Sequence, residues 1–141
     1  MSILLHMLSA STQQGTAPPP PSDVTPNSVN WGNLSDLIGG QDANSNQTIS
    51  GIDTTISLKY SRSGDSITLK YRKNSGSYVT LSPGSTFTVS NGDTVNFQGE
   101  TTNTSTRSGT ITVINASDSD ATLDTFTYSL KLDLGGGGGG L

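Results

Sequence analysis

Apolar and polar residues alternate in short runs through most of this chain. The last run is the clearest: Phe126, Tyr128, Leu130, Leu132 and Leu134 alternate with Thr127, Ser129, Lys131 and Asp133. A period of two predicts a strand with one apolar face. Ile56, Leu58 and Tyr60 alternate with Ser57 and Lys59, and Ile67, Leu69 and Tyr71 with Thr68 and Lys70. Phe87 and Val89 follow the same rule, as do Val95 with Phe97 and Ile111 with Val113. Between the runs stand Ser63-Gly64-Asp65, Asn74-Ser75-Gly76, Ser82-Pro83-Gly84 and Asn91-Gly92-Asp93, all turn-forming combinations. Asn91-Gly92 carries the strongest hairpin signature, because a two-residue hairpin wants positive φ at its central positions. About seven to nine strands at a spacing of about 8 to 12 residues predict an all-β fold, an antiparallel sandwich with a single core between two sheets.

The alternation stops at both ends. Residues 1–26 read as an arm, with an apolar patch at Ile3, Leu4, Leu5, Met7 and Leu8 followed by polar residues and then Pro18, Pro19, Pro20, Pro21 and Pro26. Four consecutive prolines fix φ and remove four backbone donors, so this stretch is expected to be a stiff polyproline II spacer that holds the patch away from the body. Residues 27–134 form the sandwich. Residues 135–141 are six glycines and Leu141, a tail with no side chains from which to build a core.

Composition supports the strands and narrows the chemistry. The chain of 141 residues has 22 Ser and 20 Thr, but only 13% charged residues and a single Glu, Glu100, which leaves little material for a long helix. It has no Cys, hence no disulfide, thiolate nucleophile or zinc-thiolate centre. A net charge of -4 without any Lys or Arg run argues against a nucleic-acid partner. The longest apolar run, Ile3 to Leu8, is broken by His6 and is far shorter than the roughly 20 residues of a membrane span. No positive charge precedes it, which also argues against a secretory signal.

Few residues are candidates for chemistry. The only imidazole, His6, sits in the apolar patch, away from any scaffold that would orient it. Asp118, Asp120 and Asp124 cluster between the last two strands, but lack the glycine and closing Glu of an EF-hand loop; a solvated loop is the simpler reading. Sequons at Asn33, Asn46, Asn103 and Asn115 are about as frequent as chance predicts in a chain so rich in Ser and Thr. Lys59, Lys70, Arg72 and Lys73 lie in adjoining strands and could make a mild positive stripe, but Lys59 and Lys70 should point outward, as on an ordinary solvated surface. Trp31 is expected to plug one end of the core. Sugar platforms need exposed aromatic rings, and Trp31 and Tyr78 are the two that do not fall in phase with the apolar faces.

Four strings carry a resemblance: Val29-Asn30-Trp31-Gly32-Asn33-Leu34-Ser35, Asn46 to Lys59, Val89 to Phe97, and Thr110 to Leu130. Together they resemble an immunoglobulin-like module found in structural proteins of tailed bacteriophages, over nearly all of residues 27–134. The chain departs from antibody-type domains in having no Cys pair and in the early position of its Trp. The resemblance implies a virion protein without an active site or cofactor, one that displays or glues virion components. Its partners would be a major capsid protein or a tail protein, with further copies of itself in a homo-oligomer. A head decoration or cement protein anchored by the arm is the first expectation. A tail or neck component, and an adhesin module that binds host-surface carbohydrate, are the alternatives.

Overall fold

The structure is a computed structural model and describes residues 15–35, 41–42 and 44–134. The apolar patch of the arm and the glycine tail lie outside the described residues. Among those described, the chain forms β1 (Leu34–Ser35), β2 (Gln41–Asp42), β3 (Gln47–Thr48), β4 (Ile56–Gly64), β5 (Thr68–Lys73), β6 (Val79–Leu81), β7 (Phe87–Val89), β8 (Thr94–Glu100), β9 (Arg107–Asn115) and β10 (Ala121–Leu130). No helix of the described part is long and apolar enough to cross a membrane.

The strands make the expected β-sandwich. The first sheet runs β1-β10-β9-β4-β7; the second runs β2-β8-β5-β6, with β3 also paired to β8. All pairings are antiparallel except β1 on β10. Strand order adds a further departure from antibody domains, in which the first two long strands are neighbours. Here β4 lies between β9 and β7, while β5 belongs to the opposite sheet.

One inward face per strand fills the space between the sheets. Ile56, Leu58, Tyr60, Ile111, Val113, Phe126, Tyr128 and Leu130 of the first sheet meet Leu69, Leu81, Val95 and Phe97 of the second. Phe97 is the aromatic centre, with Trp31, Phe87 and Phe126 around it at centroid distances of 5.1, 6.3 and 5.9 Å, within the range in which aromatic pairs attract. At one end the inward Gly99 makes room for two leucines: a Cβ there would lie 2.7 Å from Leu130 Cδ1 and 3.0 Å from Leu34 Cδ1.

A strap without regular periodicity closes one side of the sandwich. It starts at Asp23, whose backbone N–H donates to Asp53 Oδ1 at 2.7 Å, and the Val24 carbonyl accepts from Asn115 Nδ2 at 2.7 Å. Pro26 is buried. Further along, Asn27 N donates to Ser50 O, Trp31 N to Asp124 Oδ2, and Thr127 N to Asn33 Oδ1. The strap ends as β1, with Leu34 opposite Tyr128. Residues 23–35 therefore run beside β10 from its first residues to its last.

Two local expectations change. The last strand ends at Leu130, not Leu134, because its partner β9 starts at Arg107, opposite Leu130. Beyond that point Leu132 N donates to the Asn103 carbonyl and Leu134 is 74% exposed. Asn91-Gly92 is a turn but not a hairpin: β7 and β8 belong to different sheets. Only Gly92 has positive φ there, at 91°, whereas a type I′ hairpin turn needs it at both central residues. Both conditions are met at Asn74-Ser75 (φ 52° and 62°), which joins β5 to β6, and at Ser119-Asp120 (48° and 61°), which joins β9 to β10.

Candidate functional site

Alternation along β8 sends Val95, Phe97 and Gly99 into the core, and therefore sends Asn96, Gln98 and Glu100 to the outward face of the second sheet. Arg72 of β5 stands opposite Asn96, Lys70 opposite Gln98, and Asp42 of β2 opposite Gln98 on the other side. These side chains share one surface. Lys70 Nζ pairs with Glu100 Oε1 at 2.8 Å, so the cations Lys70 and Arg72 are matched by the carboxylates Asp42 and Glu100.

Tyr78, one residue before β6, spans this surface. Its phenol donates to Asp42 Oδ1 at 2.7 Å, and Gln98 Nε2 donates to the same oxygen at 3.3 Å. In the order β2-β8-β5-β6 Asp42 belongs to one margin of the sheet and Tyr78 immediately precedes the strand at the other. The ring therefore lies across the outward face. The Arg72 guanidinium stands over it, 4.9 Å from the centroid, a cation-π contact. Burial first, then the hydrogen bond and charge of Asp42, push the Tyr78 phenol up to about 12, so it remains a neutral donor.

Asn96 lies in the same row. Although it faces outward it is only 5% exposed, and its Oδ1 is buried without a hydrogen-bond partner. Such an orphaned acceptor costs about 1–3 kcal/mol, and buried polar atoms of this kind are rare in folded proteins. Chemically the face offers amide donors and acceptors, one aromatic ring and balanced charge, a set suited to holding a ligand.

The other candidates fall elsewhere. Ile3, Leu4, Leu5, Met7 and Leu8 lie outside the described residues. Trp31 is wholly buried; its Nε1 donates to the Val95 carbonyl at 2.8 Å, so it plugs the core and has no free ring face for a surface ligand. Tyr78 is half-buried and belongs to the face just described. The three aspartates are engaged separately: Asp118 Oδ2 accepts from Thr25 Oγ1, Asp120 pairs with Lys59 at 2.9 Å, and Asp124 accepts from Trp31 N and Thr125 N. Among the described residues no group of three or more His, Cys, Asp or Glu is placed to hold a metal ion.

Sequence reasoning singled out Tyr78 and placed Arg72 among the basic residues of adjoining strands, but missed Asp42, Asn96 and Gln98. The alternation of Asn96, Gln98 and Glu100 with Val95, Phe97 and Gly99 already put three polar groups on one face. It gave no reason for Asn96 to be covered.

No protein-family profile matches the chain, and no curated protein matches it. Among solved structures it is similar to the N-terminal domain of PorA, with a TM-score of 0.35 and 14% identity over 75% of this chain and 87% of that one.

Proposed function

We propose that this chain is a non-enzymatic structural protein of a tailed-phage virion: a head decoration or cement protein whose β-sandwich is held to the major capsid protein by the N-terminal arm, the part of residues 1–26 that precedes the bonded strap at Asp23. The four strings that resemble phage immunoglobulin-like modules give the class. One structural observation supports an anchored body. The strap joins the sandwich beside the β9–β10 turn, where Thr25 meets Asp118 and Val24 meets Asn115, while β10 leaves at the far end, opposite Arg107. A strand of ten residues separates the two by about 30 Å. An arm fixed in a neighbour would thus hold one end of the body against the shell and turn the other outward.

In this reading Ile3, Leu4, Leu5, Met7 and Leu8 insert into an apolar groove or along a sheet edge of the capsid protein, and the prolines set the stand-off. Weak contacts repeated over many copies, including contacts between copies of this chain, would stabilise the particle through multivalency. Gold labelling of a tag placed after residue 134, viewed on whole particles by electron microscopy, tests the assignment. Label distributed over the head is expected. Label confined to the tail or neck would replace decoration by a tail role, and particles without label would remove the virion reading.

A further inference from the structure

The orphaned Asn96 acceptor stands opposite Arg72, whose guanidinium covers the Tyr78 ring, on the outward face of the second sheet. We infer that this face is a binding site for a neutral saccharide, with the Asn96 amide as its floor and the Tyr78–Asp42 pair as a latch across its mouth.

Four observations lead there. Asn96 Oδ1 is buried and lacks a donor, so it keeps an acceptor ready for a hydroxyl that the fold itself does not supply. Gln98, two residues along β8, points the same way, so two side-chain amides stand side by side. An amide both donates and accepts, as does each hydroxyl of a sugar ring. The charges of Lys70, Arg72, Asp42 and Glu100 cancel within the site, which favours an uncharged ligand over an anion or a cation. The cover is an interaction that a ligand can replace: the Tyr78 phenol reaches Asp42 through a single hydrogen bond, and both residues are at the sheet margins. When the latch swings aside, Asp42 and the amides are free for hydroxyls, and the Tyr78 ring offers its apolar face to the C–H face of the sugar.

The unpaired oxygen also makes a separable prediction about stability. Replacing both amide atoms by a methyl pair removes an unsatisfied polar group. Asn96→Val should therefore raise Tm by about 3 °C or more while it abolishes saccharide binding. A residue that merely supports the fold would lower Tm when replaced.

The experiment is a titration of the ¹⁵N-labelled full chain with cellobiose, maltose, lactose and chitobiose at millimolar concentration, followed by NMR. At least one disaccharide is expected to shift the side-chain amide resonances of Asn96 and Gln98 in a saturable manner. Asn96→Val should remove the response, and Tyr78→Phe, which opens the latch but keeps the ring, should strengthen binding several-fold. Absence of any saturable shift would overturn the proposal, and so would a loss of stability in Asn96→Val. Shifts confined to other surfaces, or a long-lived water on the Asn96 amide that no sugar displaces, would overturn it as well.

Discussion

Trp31 Nε1 donates to the Val95 carbonyl at 2.8 Å, while the backbone N–H of the same residue donates to Asp124 on β10 at 2.7 Å. One residue of the strap is thereby bonded to both sheets, and its indole packs edge-on against Phe97, the aromatic centre of the core. Since Trp31 is fully buried, its removal would open a cavity and take the indole donor from the Val95 carbonyl.

Trp31→Ala should cost about 3–5 kcal/mol. Trp31→Phe, which retains most of the ring but not the donor, should cost less, with about 0.5–1.5 kcal/mol from the lost hydrogen bond to Val95. Urea denaturation at neutral pH measures both. A Trp31→Phe variant as stable as the parent would mean that the hydrogen bond contributes nothing, and equal losses in the two variants would mean that the ring's packing contributes nothing.

Where β10 ends can be tested by a pair of charges. Leu130 is 3% exposed and Leu134 is 74% exposed. Leu130→Asp should unfold the domain, because an unpaired carboxylate in the core costs several kcal/mol. Leu134→Asp should leave the unfolding free energy within about 0.5 kcal/mol of the parent. Circular dichroism through the transition distinguishes the two.

Gly109 occupies a place where no side chain fits. A Cβ there would collide with the Ser63 carbonyl and the Tyr128 phenol, and that phenol donates to the Asp65 carbonyl as the chain crosses from β4 towards β5. Neither neighbour is a flexible side-chain end that can swing clear: one is backbone and the other is a held ring. Gly109→Ala should cost about 3 kcal/mol, at the upper end of overpacking penalties, in the same urea assay.

Much of the fold can be read from residue order because one face of each long strand is buried. Wherever that holds, as in β4, β5, β7, β8 and β10, alternation marks the inward residues directly. Sheet partnership is different. Asn91-Gly92 has the local chemistry of a turn, yet whether the chain returns beside the same strand or crosses to the other sheet depends on distant pairing, and β7 pairs with β4 instead. The strap is not periodic because side chains such as Asp53, Asp124 and Asn33 hold it rather than a continuous ladder. Asn96 reads as an ordinary outward residue in sequence, and its burial to 5% exposure is set by side chains from other strands that the alternation does not reveal.

Stability should fall at both extremes of pH. The Asp93 carboxyl is held below the usual aspartate range, chiefly by the Asn74 side-chain amide, with help from the Ser90 N–H and Lys73 against the cost of burial. Its contribution is complete above about pH 4 and is lost as pH falls through the lowered folded value. Asn74→Ala should therefore lower stability at pH 7 and flatten the acid limb. Burial raises the phenols of Tyr60, Tyr78 and Tyr128, so their contribution is complete below about pH 10 and is lost as pH rises through the folded values, about 12 for Tyr78. Tyr78→Phe should reduce the alkaline loss. Urea midpoints across pH measure both limbs.

Anchoring through the arm is tested most directly by incorporation into particles. The full chain and a version lacking residues 1–16 would each be expressed with a tag from the phage's own locus, and the particles banded on a density gradient. The truncated chain should retain the urea midpoint of the parent, since the bonded strap starts only at Asp23, but should be missing from the particle band. A truncated chain that bands with particles in the same amount as the full one would contradict anchoring by the arm.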